Sequence, residues 1–233
     1  MPRTRRELLF FVLGGFFLTN AILAELTGGK LFKAPTIGLG WLTLKDIPLS
    51  IGVIPWPVVF VTTDLINEYY GKEGVRKLTF LAVGMISYCF GLLYLAMLIP
   101  SWERSPVSSA AFETVFGQSM WIIVGSMTAF LTAQLVDVII FMAFRRRTGH
   151  RMLWLRATGS TVISQLIDTF IVAYIGFVLP GKMTLDEYVR MGSGNYAYKL
   201  MIAILVTPVI YLAHSLIEKF LAGDTGISEP EPA

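Results

Sequence analysis

The sequence predicts an all-α membrane protein, a polytopic bundle of six transmembrane helices with both termini in the cytoplasm. Three observations predict it. The 233 residues are 55% hydrophobic and only 15% charged, against about a quarter charged in soluble domains. The apolar residues gather into six windows, each long enough to cross about 30 Å of hydrocarbon. The 19 lysines and arginines then divide unequally between the two sides those windows define.

The composition also excludes other classes. A disordered chain would not carry this much apolar surface, and the 21 Gly and 11 Pro follow no fibrous period. Cys89 is the single cysteine, so neither a disulfide scaffold nor a thiolate zinc site is expected. A net charge of +3 gives no electrostatic reason for a nucleic-acid polymer as partner. No cofactor and no metal are expected.

The windows are Leu8–Leu26, Ile47–Ile66, Leu78–Ile99, Trp121–Phe144, Ala157–Leu179 and Tyr198–Ile217, of 19 to 24 residues. Leu8–Leu26 follows Arg3, Arg5 and Arg6 as a signal peptide would, but it is too long for such an apolar segment. Ala21 and Ala24 make no small-x-small cleavage pattern, so the helix is retained. Tails and loops are too short for a soluble domain, so residues 1–222 form one membrane domain. Residues 223–233, with two Glu-Pro pairs, form a disordered cytoplasmic tail.

One side of the membrane receives Arg3, Arg5, Arg6, Lys72, Arg76, Lys77, Arg145, Arg146, Arg147, Arg151, Arg156 and Lys219. The other receives Lys30, Lys33, Lys45, Arg104, Lys182, Arg190 and Lys199. The richer side is cytoplasmic, and the Arg145–Arg147 cluster reads as a topology anchor near anionic lipid. In the outer loops, Thr184 and Glu187 make a capping box for a short helix from Leu185 to about Met191. Ser109–Phe116 reads as an amphipathic turn, and Leu31–Leu44 as a small hairpin.

Ionisable groups at membrane depth are costly, so they mark function by default. Helix four carries Gln134 and Asp137 in QLVD; helix five carries Gln165 and Asp168 in QLID. The i,i+3 spacing puts amide and carboxylate on one face, and two copies in adjacent helices suggest paired faces across a cavity. Asp64, Asn67 and Glu68 repeat the pattern late in helix two, and Asn20 lies within helix one. Glu25 closes that helix at the interface. Ser160, Thr161 and Ser164 add hydroxyls in helix five.

Amides offer a donor beside an acceptor, as a purine edge does, and a carboxylate accepts two parallel N–H bonds from an amidine-like group. Trp56, Phe60, Tyr70, Phe170 and Tyr174 are rings on which a flat solute could stack. Each residue has a plainer reading. Ser160 and Thr161 can join helices. Asp137 and Asp168 could be structural ion pairs, but no Lys or Arg stands at matching depth in any window. Asp64 and Glu68 could pair with Lys72 or Arg76. His214 reads as an interfacial residue rather than a proton relay.

At TDLINEYYGKEGVRK (Thr63–Lys77) and SQLIDTFI (Ser164–Ile171) the chain resembles the queuosine precursor transporter family, formerly called a vitamin uptake transporter family. The first motif is matched at Asp64, Leu65, Ile66, Asn67, Glu68, Tyr70, Gly71 and Arg76. The second is matched at Ser164, Gln165, Asp168 and Thr169, and the family's first-helix asparagine at Asn20. The resemblance implies a bacterial inner-membrane importer of 7-cyano-7-deazaguanine, 7-aminomethyl-7-deazaguanine or both, and not an enzyme.

The expected substrate-binding residues are Asn20, Gln134, Asp137, Ser164, Gln165, Asp168 and Phe170, with Asp64, Asn67, Glu68 and Arg76 at a gate or coupling site. The expected partners are a small deazapurine base and membrane lipid; the sequence leaves a homodimer open. The competing readings are a substrate-binding subunit of an energy-coupling-factor importer and an intramembrane enzyme. The second lacks any G-x-S-x-G or H-E-x-x-H motif.

Overall fold

In the computed structural model the described residues are 4–222, apart from 29, 34–36, 40–41, 45–47, 118–119 and 150–151. The expected disordered tail, Arg3, Lys45 and Arg151 lie outside them. Helix α1 spans Arg5–Thr27, where the Thr4 hydroxyl accepts the Glu7 N–H at 3.1 Å and so caps the first turn. The chain then forms nested antiparallel pairs: β1 (Leu31–Lys33) with β4 (Pro48–Ser50), and β2 (Ile37–Leu39) with β3 (Leu42–Leu44). The expected hairpin is therefore present. It extends into the start of the second window, because an apolar run holding Pro48 and Pro55 can be strand and turn as readily as helix.

Helix α2 begins only at Trp56 and runs to Met97, with Pro57 in its first turn, where a missing N–H is no loss. It is broken once. Gly71 has φ 68° and ψ −174°, a backbone region open essentially to glycine alone. The chain reverses there. Trp56 in the first arm packs at a tilt against Phe130, and Ser87 in the second arm reaches Met127, about one helical turn from Phe130. On the other flank, Gly74 abuts the Phe10 ring and Leu78 abuts Gly14 of α1. The second and third windows are thus two arms of one helical run.

The remaining elements follow in order. Ser109–Phe116 is a regular helix, α3, capped by the Ser108 hydroxyl and buried nowhere. Helix α4 spans Met120–Thr148, and α5 spans Leu153–Ala173, extended by a π-turn at Tyr174–Val178. The Thr184–Glu187 capping box is made: the Thr184 N–H and hydroxyl both donate to Glu187 Oε2, at 2.9 and 2.8 Å. The helix it starts does not stop near Met191. It continues as α6 to Ala222, since nothing in GSGNYAYK interrupts the ladder.

Among the described residues, five helical stretches are long and apolar enough to cross a membrane, where six windows were expected. The difference lies at Gly71, where the second and third windows join into α2. Phe11 is 73% exposed and Leu205 67% exposed. Large apolar side chains facing outward in such numbers suit a bundle surrounded by lipid rather than water. Inward, Leu9, Leu13, Phe17 and Ala21 of α1 pack on Leu78, Ala82 and Ile86 of α2.

Candidate functional site

The polar interior is organised by one stripe on α5. Arg156, Ser160, Ser164 and Asp168 recur every four residues and therefore share a face, and all four are buried. Facing them on α4 are Gln134, Asp137 and, toward its end, Arg145; the first arm of α2 contributes Thr63, Asp64, Asn67 and Glu68. Placing this many polar groups inside an apolar bundle is tolerable only if they find one another.

At one end of the stripe, Arg156 is 1% exposed and donates from Nη2 to Glu68 Oε2 at 2.9 Å. It also donates to the Gly149 carbonyl, and its guanidinium lies 5.8 Å from the Phe141 ring centre. Arg145 donates to the carbonyls of Asn67 and Glu68 at 3.2 and 3.0 Å and stands 4.0 Å from the Glu68 carboxylate. This knot ties α2, α4 and α5. The plainer reading of Glu68 was a pair with Lys72 or Arg76. Arg76 instead is exposed and pairs with Glu73 at 3.6 Å, away from the cluster.

At the other end, Lys199 of α6 donates to Asp168 Oδ2 at 2.6 Å. The expectation that no cation stood at the depth of Asp168 is corrected. Because α6 begins at Leu185, Lys199 lies well inside the helix, and its ammonium meets the carboxylate where α5 and α6 face each other. Glu25, read as interfacial, is buried: it accepts from the Ser126 hydroxyl at 2.5 Å and has Asp168 and Lys199 as charged neighbours.

Between these ends the acids lack cations. Asp137 accepts from the Ser164 hydroxyl at 3.0 Å, with Ser160 and Thr161 beside it, while its Oδ2 meets no donor. Asp64 is 2% exposed, and neither of its oxygens has a partner among the described residues; its charged neighbours are Asp137 and Glu68. The Asn67 amide is fully buried with both atoms unpartnered, and Gln165 Oε1 and Thr169 Oγ1 are likewise unspent. Gln134 donates to Thr63 at 3.2 Å.

The two Q-L-x-D motifs therefore do not mirror each other across one gap. Asp137 turns to α5, and Asp168 turns to α6. Two further expected residues stand apart. The Asn20 amide donates to the Phe16 carbonyl of its own helix at 2.8 Å. Phe170 packs edge-on against Tyr188 and, with Tyr174 and Ile167, lines an apolar groove of about 370 Å³. Trp56 stacks on Phe60 with ring centres 5.8 Å apart, and Tyr70 packs on Phe10, so these rings serve packing. His214 accepts or donates at Nδ1 with the Tyr69 hydroxyl at 2.7 Å and reaches Glu218 at 3.2 Å.

Sequence reasoning missed Arg156, Arg145, Lys199, Glu25 and Ser126 as parts of the interior. For Arg156 a signal existed, the four-residue repeat through Ser160 and Ser164 to Asp168. Its place at a window's edge assigned it to topology instead.

The chain is similar to several known proteins. The family described as "Putative vitamin uptake transporter" matches residues 50–213, a span that includes α2, α4 and α5 and leaves out Asn20. A "Probable queuosine precursor transporter" of Bacillus subtilis (strain 168) is 32% identical over 176 residues, 75% of each chain. A protein of the same description from Haemophilus influenzae is 26% identical over 162 residues, covering 66% of this chain and 63% of its own. The "Queuosine precursor transporter" of Escherichia coli (strain K12) is 25% identical over 173 residues, 70% of this chain and 74% of its own. No solved structure matches the chain. These names describe transport and not catalysis. With the profile covering well over half its length, the chain belongs to the queuosine precursor transporter family.

Proposed function

We propose that this protein imports 7-cyano-7-deazaguanine, 7-aminomethyl-7-deazaguanine or both across the bacterial cytoplasmic membrane. The two arms of α2 count as separate spans in this reading, giving six with both termini cytoplasmic, and the site is exposed alternately to either side. The observation that carries the proposal is the buried, unspent set of Asn67, Asp137 and Gln165 at the meeting of α2, α4 and α5. A guanine-type base presents an N–H pair next to a carbonyl. That edge matches a carboxylate oxygen beside a carboxamide.

In this reading Asp137, Asn67 and Gln165 hold the base, with Gln134 and Ser164 positioning them. Glu68, with Arg156 and Arg145, closes the inner side; Asp168, with Lys199, closes the outer one. Asn20 would join only if its amide leaves the Phe16 carbonyl. The test is competitive uptake in cells unable to make queuosine precursors. Labelled 7-cyano-7-deazaguanine should be displaced by the cyano and aminomethyl bases and poorly by guanine. Equal displacement by guanine, or no uptake above vector-only cells, would overturn the assignment.

A further inference from the structure

Among the described residues, every buried acid but two is matched. Glu68 has Arg156 and Arg145, Asp168 has Lys199, and Glu25 has the Ser126 hydroxyl with Lys199 nearby. Asp64 and Asp137 are neighbours with no cation of their own among the described residues, and both are buried. Two ionised carboxylates cannot share such a place, so the pair must hold a positive charge. The geometry distinguishes its members. Asp137 receives a hydroxyl donor and has further hydroxyls beside it, which suits a carboxylate. Asp64 receives none, and with neither oxygen accepting a bond it gains nothing from being ionised.

We infer that Asp64 is the proton seat of a proton–base symporter, resting on the transport reading above. A proton from the outer medium forms the O–H bond of Asp64, and the same proton leaves to the cytoplasm when the site opens inward. Loading Asp64 removes the repulsion on Asp137, whose free Oδ2 can then accept the N–H edge of the base. Each ligand thereby strengthens the other's binding, which is the condition for coupled movement. The groups facing Asp64 are Glu68 from its own helix and Asp137 from α4. Glu68 is held by Arg156 of α5 and Arg145 of α4, so those cations are engaged.

The experiment uses the full chain in liposomes with the membrane potential clamped at zero and a pH dye trapped inside. An inward gradient of about one pH unit should drive about tenfold accumulation of labelled 7-deazaguanine base if one proton accompanies each base. Adding base without a gradient should acidify the lumen. The variant Asp64→Asn, which mimics the loaded acid, should lose accumulation and acidification while still exchanging labelled for unlabelled base. Asp64→Glu should restore coupling. Wild-type uptake with no proton signal overturns the inference whatever the variants do. So does Asp64→Asn accumulating like wild type, or losing exchange while eluting as a folded protein. A wild type that moves no base refutes the transport reading, and the proton seat falls with it.

Discussion

Arg156 offers the sharpest test of how the interior is held. Replacing it with Gln leaves Glu68 buried without its main partner, removes the donor to the Gly149 carbonyl, and takes the guanidinium from the Phe141 ring. Breaking a buried ion pair on one side costs about 3–5 kcal/mol. Arg145, 4.0 Å from Glu68 and 25% exposed, can take up part of the charge, so the expected loss is near the low end, about 3 kcal/mol. For a chain of this size that is a fall in Tm of about 6–12 °C, read by tryptophan fluorescence in detergent. Adding Glu68→Gln removes the stranded charge, so the double variant should regain at least half of the loss. An Arg156→Gln protein within about 0.5 kcal/mol of wild type would refute the pairing as a structural element. A double variant whose losses simply add would refute the coupling.

Three further outcomes are expected. Gly71→Ala puts a Cβ where φ is 68° and should cost about 1–3 kcal/mol, read as a lower Tm, because the α2 reversal depends on that backbone. Gly192→Ala brings a Cβ to 2.8 Å from the Phe170 ring and should cost about 1–3 kcal/mol by overpacking, visible in the same melt. Asp168→Asn strands the Lys199 ammonium; it should abolish uptake while its level in the membrane, read by immunoblot, equals wild type.

The helices were legible because apolar length is a strong signal and the bilayer fixes its scale. Their joints were not. Gly71 was visible as one residue of a motif, yet hydropathy cannot say that a polar stretch such as NEYYGKEG stays helical up to a glycine and resumes beyond it. The start of α2 was misjudged for a similar reason, since no charged residue separates residues 47–55 from the apolar helix that follows. In the site, buried acids and amides could be identified residue by residue. Their partners could not, because partner choice depends on which face each helix turns inward and on how far a side chain reaches. Lys199 was counted as an outer charge because it stood at the edge of an apolar window; α6 begins at Leu185 instead, which sets Lys199 within the helix and beside Asp168. Phe170 failed in the opposite sense: two residues past Asp168 in sequence, it lies about 200° around the helix, on nearly the opposite face, and packs on Tyr188 instead.

The stripe on α5 has a mechanical consequence. Its residues bond to three different helices: Arg156 to α2, Ser164 to α4 and Asp168 to α6. At about 1.5 Å per residue, Arg156 lies about 12 Å from Ser164 along the axis and Asp168 about 6 Å on the opposite side. A tilt of α5 by about 15° around Ser164 would move Arg156 by about 3 Å, enough to break a 2.9 Å pair. It would move Asp168 about half as far. Such a tilt opens the Glu68 end while the Lys199 bond, on a flexible stem, can follow. It also requires α5 to slide against α6, where the Thr158 and Thr207 hydroxyls now meet at 2.8 Å. Cysteines at those two positions, in a Cys89→Ser background, should form a disulfide that stops uptake of labelled base, and reductant should restore it. Transport at the reduced rate with the bond intact would mean that α5 and α6 move as one body, and the tilt would have to be abandoned.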